Sequence, residues 1–570
     1  MTKLLFLLIA IASFLFAAPQ TASRFDILIT EIMADPTPQV GLPNAEYLEL
    51  RNVSSIPFNL NGWRISDASG TATITANFIL QPDSFVILCT NSNVAAFSAF
   101  GRAIGVTSFP SLDNDGDQLT LRSPQNRVIH SLAYTTDWYG NEAKKDGGWS
   151  LEMIDTRNPC GGKGNWKASE NNLGGTPGRL NSVNGNNTDN TPPQLVRAVA
   201  TDSVTVVLLF NEPLDSSVAS TAGNYSIAGF TIASATAVAP LFTSVQLKLA
   251  APLQRRVVYS ITANNVTDCR GNTIGLLNKT RIGLAEDAAA ADVVVNEILF
   301  NPRSGAGDYV EIYNRSTKVI DASRLYIANR NTTGTVASLK KLSEQSYSLF
   351  PGDYVVITEN AASLAMQYLV KHPEAVLTVS SLPSWPDDKG TVVLLSLHGD
   401  VVDEVAYHKD WHFALLSNAE GVALERIDPD GPSQNKNNWH SAASTAGYGT
   451  PTYQNSQYKQ INRAKAKVEL SSKTFSPDGD GIDDVLLVGY AAEERGYVAN
   501  VLIFDASGRQ VRQLVKNELL GLSGSWKWDG LDESGQKLPV GTYVIFSEIF
   551  NLQGKKENFK NPVVLARRLR

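Results

Sequence analysis

The chain has 570 residues, of which 43% are hydrophobic and 18% charged, with a formal net charge of -7. That length is a soft prior for roughly four domains, and that apolar content supplies packed cores and excludes a disordered chain. The mild acidity excludes a global basic field for nucleic acid.

Lys3 precedes an apolar run over 4–16, followed by Ala17 and Ala18. This is the charged, apolar, small-residue order of a secretory signal peptide over 1–18. The run is shorter than the roughly 20 residues that cross a bilayer, and no later run is long enough to do so. Export implies an oxidising destination. Among Cys89, Cys160 and Cys269 it permits one bridge and leaves an odd thiol. Cys89 with Cys160 is the first choice, because both fall in one predicted domain.

Beyond the leader, short β-rich runs dominate, as at 85–88, 204–210, 354–358, 391–397 and 543–546. Turn residues punctuate them, and only a short stretch over 361–369 has helical period. The pattern predicts an all-β chain of serial immunoglobulin-like β-sandwich domains.

A long internal repeat organises more than half the sequence. Glu31-Ile32 and Glu46-Tyr47-Leu48-Glu49-Leu50-Arg51-Asn52 return as Glu297-Ile298 and Asp308-Tyr309-Val310-Glu311-Ile312-Tyr313-Asn314. Ala133-Tyr134 with Asp137-Trp138 returns as Ala406-Tyr407 with Asp410-Trp411. Leu151-Glu152 returns as Leu424-Glu425, Trp166 as Trp439, and Gly175-Thr176-Pro177 as Gly449-Thr450-Pro451. Two homologous domains follow, over 25–183 and 291–456. These residues resemble the lamin tail domain, which implies an immunoglobulin-like sandwich in each copy. Asn301-Pro302 fits the family's opening, whereas the first copy has Asp35-Pro36 there.

An Asn/Thr/Pro-rich junction over 184–193 leads into a middle domain at 191–286. Its Asn211-Glu212-Pro213-Leu214-Asp215, Asn224-Tyr225 and Asp268-Cys269-Arg270-Gly271-Asn272 resemble the immunoglobulin-like module of bacterial S-layer proteins. The last domain, 465–570, carries Phe475-Ser476-Pro477-Asp478-Gly479-Asp480-Gly481, Trp528-Asp529-Gly530 and Gly541-Thr542-Tyr543. It is similar to C-terminal modules of gliding-motility and type IX secretion substrates, and to the immunoglobulin-like domain of the flagellar hook-capping protein. That resemblance implies an origin in the Bacteroidota and attachment at the outer membrane through this domain.

Calcium is the expected ligand, held by Ser476, Asp478, Asp480 and Asp484. Alternating oxygen side chains with Gly481 at the turn match the start of an oxygen-ligand loop, although Leu487 stands where a bidentate Glu belongs. The stretch 113–117 has similar spacing, but Lys389 interrupts its counterpart at 386–390, so hairpin turns are expected at both. His408 and His412 are spaced i, i+4 in predicted strand and loop, which points to chance exposed histidines. Glu31, Glu49, Glu297 and Glu311 recur and could pair across strands. Alternation with leucines favours structural hydrogen bonding or a charged outer face over acid–base work. Recurrence of Trp138, Trp166, Trp411 and Trp439 favours core packing, while Trp63 and Trp149 lack a tryptophan partner in the second copy.

No catalytic residues are expected. The sequence predicts a non-catalytic secreted or outer-surface protein for adhesion, scaffolding or ligand binding, with a protein or glycan partner and no nucleic acid. A secreted hydrolase of the nuclease or phosphatase class, or its accessory chain, is the alternative that the lamin-tail resemblance brings. DNA binding by lamin analogy is the second.

Overall fold

The computed structural model describes residues 21–567 except 415, 417, 459–465 and 479–482. The expected signal peptide lies outside the described residues. Strands hold 41% of the chain and helices 8%, which makes the fold all-β. Two compact units emerge, Met1–Pro252 with Tyr259–Ile282, and Leu253–Val258 with Gly283–Arg570. Each contains one copy of the repeat.

In the first unit a six-stranded sheet runs in the order Trp166–Ala168, Leu151–Met153, Ile27–Met33, Tyr47–Asn52, Phe85–Thr90, Ala103–Val106. A four-stranded sheet, Val128–Thr135, Gly116–Arg122, Arg64–Ser66, Thr71–Thr73, belongs to the same core. Period-2 alternation decides what goes between the sheets. Leu48, Leu50, Val86 and Leu88 join Trp63, Ile65, Leu119 and Leu121 in one cluster. Tyr47, Ile87, Cys89 and Phe97 form a second cluster with Met33 and Leu42. The strand Ile27–Met33 is buried along its whole length. Both faces of the six-stranded sheet are therefore covered, which is unusual for an antiparallel sheet with a polar pattern.

The second unit repeats the plan. Its six-stranded sheet is Val376–Thr378, Tyr354–Thr358, Tyr309–Asn314, Val293–Leu299, Leu424–Arg426, Trp439–Ser441. Its four-stranded sheet is Val336–Lys341, Leu325–Arg330, Lys389–Ser396, Val401–His408. The helix expected near 361–369 is Ala361–Gln367, capped by Asn360 accepting from Ser363 N–H.

The acidic stretches at 113–117 and 386–390 are not hairpin turns. Each carries the chain from one sheet to the other, from Ala103–Val106 to Gly116–Arg122 and from Val376–Thr378 to Lys389–Ser396. A hairpin needs hydrogen-bonded neighbours, and these strands lie in different sheets.

In the middle segment the strands Leu195–Ala200, Thr205–Phe210, Ser244–Leu249 and Ile232–Ala237 form one sheet, and Tyr225–Ile227, Tyr259–Ala263 and Lys279–Ile282 another. Asp215 caps the helix Ser216–Ala219, and Asp268 Oδ1 accepts from Arg270 and Asn272 N–H to hold the closing turn. Cys160 is bonded to Cys269, with Cα atoms 6.4 Å apart, and buried Cys89 is a free thiol. The expected Cys89–Cys160 bridge is thereby corrected. Cys89 sits on a sheet strand, enclosed by Tyr47 and Phe97, while Cys160 follows a turn that packs on the middle domain.

The C-terminal segment pairs Lys467–Leu470, Leu486–Ala491 and Ser523–Trp528 in one sheet. The other sheet runs Thr474–Phe475, Lys556–Leu565, Gly541–Asn551, Tyr497–Asp505, Gln510–Leu519. Strict alternation along Gly541–Asn551 buries Tyr543, Ile545, Ile549 and Asn551. Within the second unit this segment docks on the repeat: Phe413 packs with Val498 and Leu519, and Arg495 Nε donates to the Gln457 carbonyl at 2.7 Å.

Candidate functional site: a buried carboxylate trio in each copy

The recurring glutamates meet on adjacent strands. Glu31 pairs in register with Glu49 on one side and Glu152 on the other, and Glu297 does the same with Glu311 and Glu425. All six are 0% exposed. A β-bulge at the same place in both copies, between Ile29 and Glu31 and between Val295 and Glu297, sets this register. The sequence alternation had placed Glu49 on a half-solvated face. Instead the segment after Gly-Thr-Pro lies over that face and seals it.

Buried carboxylates need donors. Glu31 Oε1 accepts from Tyr47 Oη at 2.7 Å, Ser150 Oγ at 2.6 Å and Thr176 N–H at 2.7 Å. Glu49 accepts from Thr30 Oγ1 and Gly178 N–H. Glu152 accepts from Thr176 Oγ1, Ser182 Oγ and Val183 N–H. The second copy substitutes like for like: Tyr309 Oη and Thr450 N–H serve Glu297, Asn296 Nδ2 and Thr452 N–H serve Glu311, and Thr450 Oγ1, Ser456 Oγ and Gln457 N–H serve Glu425. Asn181 and Asn455 tie the same tails to the bulge, each donating to the carbonyl of Thr30 or Asn296. Glu152, Glu425 and the tail donors were missing from the set the sequence singled out; the repeat contained them, but only strand register joins them.

Burial, then the neighbouring Glu152, pushes Glu31 up to about 7. Burial, then Glu425, pushes Glu297 up to about 8. Glu49 and Glu311 are also raised well above the usual carboxylate range, by burial and then by the central glutamate. Among the described residues these carboxylates are fully enclosed by their own chain.

One difference separates the copies. In the first, Ile29 N–H donates to His130 Nδ1, and His130 Nε2 lies 3.1 Å from the Pro159 carbonyl, so the ring is neutral with its proton on Nε2. Burial holds its pKa down to about 4. In the second copy Val295 N–H donates to Asp403, which is paired with fully buried Arg426 at 2.9 Å.

The other candidates fall as follows. Ser476 Oγ donates to Asp478 Oδ2 at 3.1 Å and Asp478 N–H to Asp484 Oδ1 at 3.0 Å, so three of the four expected calcium ligands share one turn; Asp480 lies outside the described residues. His408 and His412 flank a single turn, Lys409–Trp411, and share no helix face. His412 and His440 are not exposed but part-buried, against Phe300 and Phe413, because this stretch packs under the C-terminal segment. Trp138 packs on Trp166 and Trp411 on Trp439, with centroids 5.9 and 6.3 Å apart. Trp63 is core, and Lys144 Nζ covers part-buried Trp149 at 4.1 Å. Among the described residues, Asp189, Glu212 and Asp268 bring carboxylate oxygens within 4.8 Å of one another, a set able to take a divalent cation. Burial, then Asp189 and Asp268, raises Glu212 to about 7. Their wide sequence separation gave no spacing signal.

The lamin tail domain model matches residues 20–136 and 286–409, and a type IX secretion signal domain model matches 468–565. The chain is thus a protein of two lamin tail domains and a C-terminal type IX secretion signal domain, which makes it a secreted or cell-surface protein. No curated protein matches it. Among solved structures it is similar to the N-terminal part of the bacterial S-layer protein SbsC, at 16% identity over 29% of this chain and 45% of that one, TM-score 0.16. It thus spans less than half of that structure. It is also similar to a tetra-tandem repeat in the extending region of a large adhesion protein, at 13% identity over 95% of this chain and 99% of that one, TM-score 0.12. Dimeric latent PorU from Porphyromonas gingivalis matches at 8% identity over 95% of this chain and 34% of that one, TM-score 0.15. At these scores the structural likenesses carry no argument.

Proposed function

We propose that the protein is a non-catalytic scaffold and binding protein of the outer cell surface, attached through its C-terminal domain and presenting its sandwiches to protein or glycan partners. One observation carries this reading: in both copies the recurrent polar residues are consumed by internal hydrogen bonds, so what the repeat preserves is architecture. Strand edges and loops are left as the working surface. The test is display and turnover together. Cells making the full chain should expose it to surface-added protease, and cells making it without residues 465–570 should not. The purified full chain should leave phosphoester, nucleic acid and glycan substrates intact. Hydrolysis that disappears in Glu31→Gln with Glu297→Gln would establish the hydrolase alternative instead.

The loop with Ser476, Asp478, Asp480 and Asp484 is proposed to hold calcium; the shared turn of its described members supports this. Calcium should raise the melting temperature relative to chelator, and Asp478→Ala with Asp480→Ala should abolish the difference. No difference in the unsubstituted protein rejects the site.

A further inference from the structure

The second lamin tail domain has a cavity of about 300 Å³, lined by Pro302, Asp308, Glu359, Leu382, Pro383 and Trp385 among others. That is the lower end of the range for ligand pockets. The repeat explains its origin. In the first copy the residue matching Asp308 is Glu46, whose Oε2 accepts from Leu112 N–H at 3.1 Å. In the second copy the acid is one methylene shorter and Trp385 takes the place of Leu112. The matching bond does not form, and space remains.

What lines that space is chemically specific. Asp308 is half-buried, and its carboxylate has no hydrogen-bond or ion-pair partner among the described residues. Burial, then Asp387 and Glu359, pushes it up to about 7, as expected of an anion set among anions without a counter-charge. Glu359 spends Oε1 on Leu382 N–H at 2.6 Å. No described lysine or arginine pairs with Asp308, Glu359 or Asp387. Trp385 is only 3% exposed, yet its indole Nε1 has no partner. Buried donors are normally satisfied, so a residue that lines this cavity carries a donor that the described residues leave unused.

We propose that this cavity is a receptor site for the lysine side chain of a partner polypeptide. A lysine offers a compact ammonium to Asp308 and Glu359 and an apolar stem to Pro302, Leu382 and Pro383. Trp385 closes the wall of the cavity behind them. The site deepens the binding-protein reading and rests on it, but its test involves no turnover or localisation, so either can fail alone.

The experiment is calorimetric titration of the full chain with the peptide acetyl-Gly-Lys-Gly-amide, its Nε-acetylated form, and glucosamine. Saturable binding of the lysine peptide is expected, with at least tenfold weaker binding of the acetylated form and of glucosamine. Asp308→Asn removes the charge, and Asp308→Glu keeps it but restores the first-copy length that fills the space. Both should lose at least tenfold in affinity while keeping the parent melting profile. No saturable binding, equal binding of the acetylated peptide, tighter binding of glucosamine, or unchanged affinity in either variant that keeps the fold would overturn the assignment.

Discussion

Glu31 takes three donors on one oxygen and has none on the other. A carboxylate so placed holds a proton more readily folded than unfolded. Its folded value of about 7 stands above the usual carboxylate value of 4.5, so its contribution is fully present below 4.5 and is lost as pH rises through 7. His130 runs the other way. Its value falls from 6.5 to about 4, so its contribution is present above 6.5 and is lost as pH falls through 4. Stability of the first copy should therefore peak between these limits. Glu31→Gln should remove the fall in stability that Glu31 contributes between pH 4.5 and pH 7, measured as the rate of labelling of buried Cys89, the free thiol that opening exposes. An unchanged slope would assign the decline to other groups. Glu152→Ala strands Val183 N–H and two hydroxyls. At the usual cost of buried unpaired donors it should lose about 3 kcal/mol, a roughly hundredfold rise in Cys89 labelling.

At the scale of elements, the tail after Gly-Thr-Pro behaves as a polar strap over a sheet face. Its approach is close: a Cβ at Gly175 would lie 2.6 Å from both Glu31 Oε1 and Tyr47 Oη. Gly175→Ala should thus cost about 2 kcal/mol by overpacking, whereas Gly164→Ala, with nothing near its Cβ, should be neutral. Equal thermal shifts for the two would show that the strap yields. The strands themselves were readable as short β-rich runs between turn residues, and the helix at Ala361–Gln367 from its helical period. The strap was not. Gly175-Thr176-Pro177 reads as a loop, and nothing local announces that its backbone N–H groups satisfy an acid some 145 residues upstream. Alternation also misled at Glu49, because it reports which face a residue takes and not whether a later segment covers that face.

For the whole molecule, the two-copy organisation was visible because matched residues recur in order, and the family models agree with it. The bridge was misassigned because shared domain membership does not measure distance. Cys160 reaches Cys269 across a sequence separation of 109. Closing a loop of that size is worth about 4 to 5 kcal/mol in the chain-entropy account. Peptide mapping without reductant should recover a linked pair containing both residues, and Cys269→Ser should lower the stability of the first unit by that order in denaturant titration. A linked peptide containing Cys89 would contradict this pairing.

The strap also dictates an order of events. During synthesis the strand with Glu31 emerges early, and Thr176 and Val183, which complete the environments of Glu31 and Glu152, come last. Until then the three acids sit on an uncovered sheet with only the hydroxyls of Thr30, Tyr47 and Ser150 and water as partners, and the early strands have little reason to commit. Each copy therefore stays pliable until its final residues arrive. A nascent polypeptide bound for transport gains from this delay, because threading through a narrow conduit requires a chain that has not yet locked.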